Sequence, residues 1–138
     1  MHGRNLDFEL WEVISKLLVT IDYYKDGKML YSSDSVAITA FALTGIKPGA
    51  FSINVDTRYT RNFEENLVSV IKNNSIPTCW LLRKVFEEEA TYEEANKRLR
   101  ETPISSPVYY IIAGVGPNEG MVIERATNST HAYYELTE

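Results

Sequence analysis

The sequence predicts an α+β fold in which strands at both ends of the chain flank a helical block. Residues 17–55 are dense in β-branched and aromatic side chains, residues 62–99 carry apolar positions at helical spacing, and strand character returns at Val108. At 138 residues the chain is one domain's worth, long enough for its own core. Its 44% hydrophobic and 24% charged content is that of an ordinary globular domain.

Residues 1–8 read as a strand-like start. Residues 17–24 form a strand, and the almost unbroken apolar run Leu17-Leu18-Val19-Thr20-Ile21 implies cover on both faces. Asp26-Gly27 signals a turn before a short strand at 29–31. A strand at 36–43 follows, residues 44–49 break the pattern as a turn, and 50–55 resume it. Asn62 caps a helix with Glu65 completing a capping box, and Phe63, Leu67, Val70 and Ile71 make its apolar stripe. Pro77 opens a second helix that runs to Glu88. Thr91 and Glu94 repeat the capping-box signal for a third, faced by Tyr92, Ala95 and Leu99, with Glu93–Lys97 and Glu94–Arg98 at ion-pair spacing. Pro103 and Pro107 bracket the exit. Strands at 108–113 and 121–124 enclose a hairpin-like loop; its glycines precede no helix and no GK[ST], so they are not a phosphate cradle. The pairs Tyr23-Tyr24, Tyr109-Tyr110 and Tyr133-Tyr134 are expected to send one ring inward and one outward.

A net charge of -5 without a dense Lys/Arg patch argues against nucleic acid as a partner. Apolar runs such as 36–43 are too short to span a bilayer, and residues 1–16 have three acidic side chains and no signal-peptide core. One cysteine, Cys79, leaves no internal disulfide and no all-cysteine metal site. His2 and His131 share no ligand pattern, so no metal is expected. Asn73 and Asn128 head glycosylation triplets.

Arg4 and Asp7 are the first candidates for chemistry, although their odd separation sends them to opposite faces of a simple strand. A shared site needs a bulge or bend there; a surface ion pair is the bland alternative. Cys79 stands at a helix start, which lowers a thiol's pKa, yet free cysteines more often serve packing. Asp56-Thr57-Arg58 closes a strand, a common place for binding groups and equally for solvated charges.

The stretches His2-Gly3-Arg4-Asn5-Leu6-Asp7-Phe8, Leu43-Thr44-Gly45-Ile46-Lys47-Pro48-Gly49-Ala50-Phe51-Ser52, Ile76-Pro77 with Trp80-Leu81-Leu82-Arg83, Pro107-Val108-Tyr109-Tyr110-Ile111-Ile112 and Gly120-Met121-Val122-Ile123-Glu124-Arg125 occur in that order. With them the chain resembles the lysosomal amidases that include acid ceramidase and N-acylethanolamine-hydrolysing acid amidase. The resemblance implies an N-terminal-nucleophile hydrolase, an αββα sandwich of which this chain is a part. It further implies a precursor that cleaves itself to expose a cysteine at the start of its larger subunit. That thiolate attacks a lipid amide, with the cysteine's own α-amine, of ordinary pKa about 8, as base and with no cofactor.

Carried over on the resemblance, Arg4 matches the family's Arg, which organises the nucleophile and the substrate's polar end, and Asp7 matches its Asp, which holds the α-amine. The family's Glu falls at Thr57, ahead of Arg58, where neighbouring Asp56 could partly substitute. The nucleophile is expected upstream of His2 and a later oxyanion Asn beyond Glu138. Residues 1–138 are therefore expected to be a single, incomplete domain of the larger subunit, inactive alone. The implied partners are a lipid amide substrate, the smaller subunit, and a membrane surface or lipid-presenting contact. The implied location is lysosomal or secreted. The alternative is a non-catalytic lipid-binding or interaction domain on the same fold.

Overall fold

Among the described residues, seven strands pair in chain order, each antiparallel to the next: β1 (Leu18–Lys25), β2 (Lys28–Val36), β3 (Thr44–Lys47), β4 (Phe51–Thr57), β5 (Val108–Gly114), β6 (Gly120–Arg125) and β7 (Thr130–Glu135). This computed structural model describes residue 2 and residues 11–36, 43–58 and 63–136 (for Trp11, the backbone alone). Most of the strand expected at 36–43, the cap at Asn62 and residues 3–8 lie outside the described residues. A short helix α1 (Trp11–Leu17) leads into β1, an element that the sequence reading did not assign. Helices α2 (Phe63–Asn73), α3 (Thr78–Glu88) and α4 (Tyr92–Glu101) all occupy the connection from β4 to β5. The strands–helices–strands order of an α+β fold is thus as expected.

Period-two alternation decides which face the helices cover. Tyr31, Phe51, Ile53, Val55, Tyr110, Ile112 and Ile123 point one way and are buried with Leu81, Leu82, Val85 and Phe86 of α3 and Ala95 and Leu99 of α4. Tyr23, Tyr31, Phe86 and Phe51 form a run of stacked rings with successive centroids 4.3, 5.1 and 5.7 Å apart. Gly45 lies beside this run, where an added Cβ would come within 2.7 Å of the Phe86 ring and 3.0 Å of the Ser32 carbonyl. The close approach explains why a strand here needs glycine. Residues 44–49 are accordingly not all turn: Thr44–Lys47 is β3, and the turn is confined to Pro48, Gly49 and Ala50.

Local chemistry fixes the other junctions. Asp26 and Gly27 both take positive φ, 51° and 75°, as the tight turn between Lys25 and Lys28 requires. The Thr91–Glu94 capping box forms in full at the head of α4. Arg98, expected to pair with Glu94, instead bridges back to Glu88 at 2.6 Å and to Glu89, because Glu94 is engaged by the cap. Arg125 is wholly buried and donates to the carbonyls of Leu99, Thr102 (2.7 Å) and Ser129 (3.2 Å), which closes the end of α4 onto β6.

The cover expected for the apolar run at residues 17–21 fails. The run at the start of β1 is exposed: Leu18 and Val19 are open, because among the described residues β1 is the edge of the sheet and not a central strand. The stripe of α2 is also turned outward, with Phe63 76% and Ile71 72% exposed and Ser69 its buried residue. The tyrosine pairs split as expected at Tyr23-Tyr24 and Tyr109-Tyr110, but Tyr133 and Tyr134 are both exposed on edge strand β7.

Candidate active site

The alternation that buries Phe51, Ile53 and Val55 sends Ser52, Asn54, Asp56 and Arg58 to the face of the sheet away from the helices. This open face is polar at its centre. A cavity of about 440 Å³ there is lined by His2, Thr20, Ser32, Asp34, Ser52 and Asn54 among others. Thr20 donates to Asp34 Oδ1 at 2.9 Å across the β1–β2 ladder. Arg58 reaches over β5 to Glu124 at 2.8 Å, both side chains largely buried.

His2 lies on the same face although it is 50 residues from Ser52 in sequence. Its Nδ1 is 2.7 Å from Ser52 Oγ, its Nε2 is 2.9 Å from Asn54 Nδ2, and Ser52 Oγ donates to the Ala113 carbonyl at 3.5 Å. Burial holds the imidazole below its ordinary pKa of 6.5.

Arg4 and Asp7, the leading sequence candidates, lie outside the described residues. The Asp56-Thr57-Arg58 trio does not act as one group. Asp56 and Arg58 face the open side, whereas Thr57 faces the helices, where it lines a cavity of about 260 Å³ with Val55, Val108 and Cys79. A carboxylate at position 56 therefore serves the other side of the sheet from position 57. Cys79 is half-buried in the first turn of α3, and burial lifts its thiol above the ordinary value of 9.0, outweighing the nearby backbone N–H groups that pull it down. Burial thus works against the activation expected of a helix N-terminus, in keeping with a packing role. His131 is exposed on β7. Asn73, at the end of α2, and Asn128, between β6 and β7, are both exposed.

Sequence reasoning missed Ser52 and Asn54. The signal was present: polar residues at every second position of a strand whose alternate positions are Phe51, Ile53 and Val55.

The comparisons with known proteins bear on what this face belongs to. An N-acylethanolamine-hydrolysing acid amidase of Caenorhabditis elegans is 34% identical over 137 residues, which is 99% of this chain and 39% of the relative. The rabbit (Oryctolagus cuniculus) enzyme of the same name is 36% identical over 124 residues, 90% of this chain and 35% of the relative. Acid ceramidase of Pan troglodytes is 32% identical over 152 aligned positions, covering 99% of this chain and 38% of the relative. The solved structure of the Caenorhabditis elegans amidase ortholog superposes with a TM-score of 0.86 at 32% identity, over 97% of this chain and 58% of that one. The chain belongs to the acid amidase and acid ceramidase family.

No protein-family model matches the chain. It spans about two fifths of the length of the curated relatives it matches. Within the family its strands–helices–strands arrangement matches the αββα sandwich of the N-terminal-nucleophile hydrolases. The described residues supply one sheet and the helices on one face of it.

Proposed function

We propose that the chain is part of a lipid-amide hydrolase, lysosomal or secreted, that cleaves ceramide or an N-acylethanolamine into a fatty acid and an amine. The carrying observation is that a chain of this family presents a polar sheet face turned away from its described helices, with Ser52, Asn54, Asp56 and Arg58 in line along the central strand β4 and its end. In the reaction a cysteine thiolate adds to the amide carbonyl and the C–N bond breaks. The amine leaves with the proton delivered by the α-ammonium group, and water then releases the acid from the thioester. Arg4 and Asp7 would orient that nucleophile and its α-amine. The precursor's smaller subunit would complete the assembly.

Cys79 is unsuited to replace that nucleophile. It sits among the packing residues of the helix side, with its thiol pKa raised. The 138 residues taken alone are therefore inactive. A fluorogenic N-acyl amide assayed at about pH 4 to 5 tests this: the chain should match its Cys79→Ala variant. Turnover above that control would sink the reading.

A second reading, a non-catalytic lipid-binding or interaction domain, is favoured by the outward stripe of α2, which also fits contact with a membrane surface. Co-sedimentation with phosphatidylcholine vesicles, lost in Phe63→Ser and Ile71→Ser, would support it. Equal recovery of both variants in the vesicle pellet would remove it.

A further inference from the structure

We propose that His2 is a positioning residue, clamped in its neutral Nδ1–H tautomer between Ser52 and Asn54 on the open face of β4, which acts on Arg4 and Asp7 through the short stretch of chain between them. Its functional half rests on the hydrolase reading above.

The tautomer follows from the direction of the hydrogen bonds. Asn54 Nδ2 can only donate, so the Nε2 that faces it at 2.9 Å accepts and is bare. The hydrogen of the neutral ring is then on Nδ1, which donates to Ser52 Oγ at 2.7 Å. The Ser52 hydroxyl is left to turn its own hydrogen to the Ala113 carbonyl, a long contact of 3.5 Å. The result is a one-way relay from Asn54 through the imidazole to Ser52 and on to the backbone of β5. Free imidazole does not favour this tautomer; the protein's own bonds select it.

The geometry is that of a built clamp. Ser52 and Asn54 are two apart on one face of β4, roughly 7 Å along the strand, a span that an imidazole with a hydrogen bond at each nitrogen can bridge. Asn54 is 4% exposed, so its amide has little water to turn to in place of Nε2. Both partners stand on a strand with ladders on either side, to β3 and β5. They provide a rigid mount for a residue that lies some 50 positions earlier in the chain.

The reach of the chain makes the clamp matter. Arg4 follows His2 by two residues and Asp7 by five, so the clamp stands only two and five positions ahead of them in the chain. Catalytic groups lose up to about a hundredfold in rate from misplacement by about 1 Å. A residue that fixes the origin of that short tether therefore sets how well they are aligned, without itself meeting substrate.

Two measurements test this. Imidazole ¹⁵N spectra of the 138-residue chain, recorded at about pH 7.5, should show a protonated Nδ1 and a bare Nε2 for His2. Asn54→Ala should move the population towards the Nε2–H form. An Nε2–H imidazole in the unaltered chain overturns the clamp. In the full-length protein, His2→Ala should lower kcat by about ten- to a hundredfold with KM unchanged. His2→Gln should recover most of that loss, because one amide offers an N–H to Ser52 and a carbonyl to Asn54. Equal loss in both variants, or none in either, overturns the positioning role. If the unaltered full-length protein turns over no N-acyl amide, it is the hydrolase reading that falls, and the spectrum alone decides the clamp.

Discussion

Replacing Gly45 with alanine should destabilise the fold by filling a space that Phe86 already occupies. The new Cβ would sit 2.7 Å from both Cε2 and Cζ of that ring and 3.0 Å from the Ser32 carbonyl oxygen. The carbonyl belongs to the β2–β3 ladder and cannot withdraw. The ring is held between Tyr31 and Phe51, at centroid distances of 5.1 and 5.7 Å, and can yield only by disturbing both. Overpacking of this kind costs about 1–3 kcal/mol. Alanine's smaller loss of backbone freedom returns about 0.5–1 kcal/mol. From the middle of each range the net cost is about 1 kcal/mol, which corresponds to a fall in Tm of roughly 3–5 °C. Urea unfolding followed by near-UV circular dichroism reads the loss. Trimming the ring supplies the control: in a Phe86→Leu background the same glycine change should cost at least about 0.5 kcal/mol less, by a double-mutant cycle. A neutral Gly45→Ala, or an undiminished cost in the Phe86→Leu background, would refute the steric argument.

Arg125→Met should cost about 3 kcal/mol in urea unfolding, because it strips a charged donor from the carbonyls of Leu99, Thr102 and Ser129; a stabilised variant would show that burying the guanidinium outweighed its bonds. At pH 8 Cys79 should react with iodoacetamide more slowly than a free thiol in the same buffer, since burial raises its pKa; an equal or faster rate would contradict its assignment to packing. His2 has a folded pKa below its ordinary 6.5, so the folded state binds fewer protons, and its contribution is complete above pH 6.5 and lost as pH falls through the folded value. The stability gap between the native chain and His2→Gln should therefore narrow on acidification, and a widening gap would reverse the sign.

Features fixed within a few residues could be read before any coordinates. The Asp26-Gly27 turn, the Thr91–Glu94 cap and the β5–β6 hairpin each depend on near neighbours, and each forms as expected. What depends on distant partners could not be read. Gly45 looks like a turn residue until Phe86, some 40 positions later, is seen beside it. The apolar start of β1 suggests a central strand, but strand order makes it an edge. An amphipathic stripe indicates a helix without saying whether that stripe meets the core, and in α2 it does not. Within the site, the alternation of β4 contained Ser52 and Asn54 in plain view, yet only the arrival of His2 distinguishes them from solvated strand residues. The same alternation separates Asp56 from Thr57, which sequence adjacency had joined.

The placement of all three long helices in one connection has a kinetic consequence. The β4–β5 ladder, seven pairs long, closes a loop of about 50 residues, at an entropic cost of roughly 3.5 kcal/mol for the length alone. The outer hairpins, β1–β2 and β6–β7, close over two to four residues and have no such cost. Sheet centre and helices should accordingly form together, since the core contacts of α3 and α4 are what offset closing the loop. The two edges can open and re-form on their own. Amide exchange should then divide the sheet lengthwise, with β4, β5, α3 and α4 protected to the global limit and β1 and β7 exchanging by local opening. The meander thus carries its slowest-exchanging amides along its middle, in the very strand that holds Ser52 and Asn54.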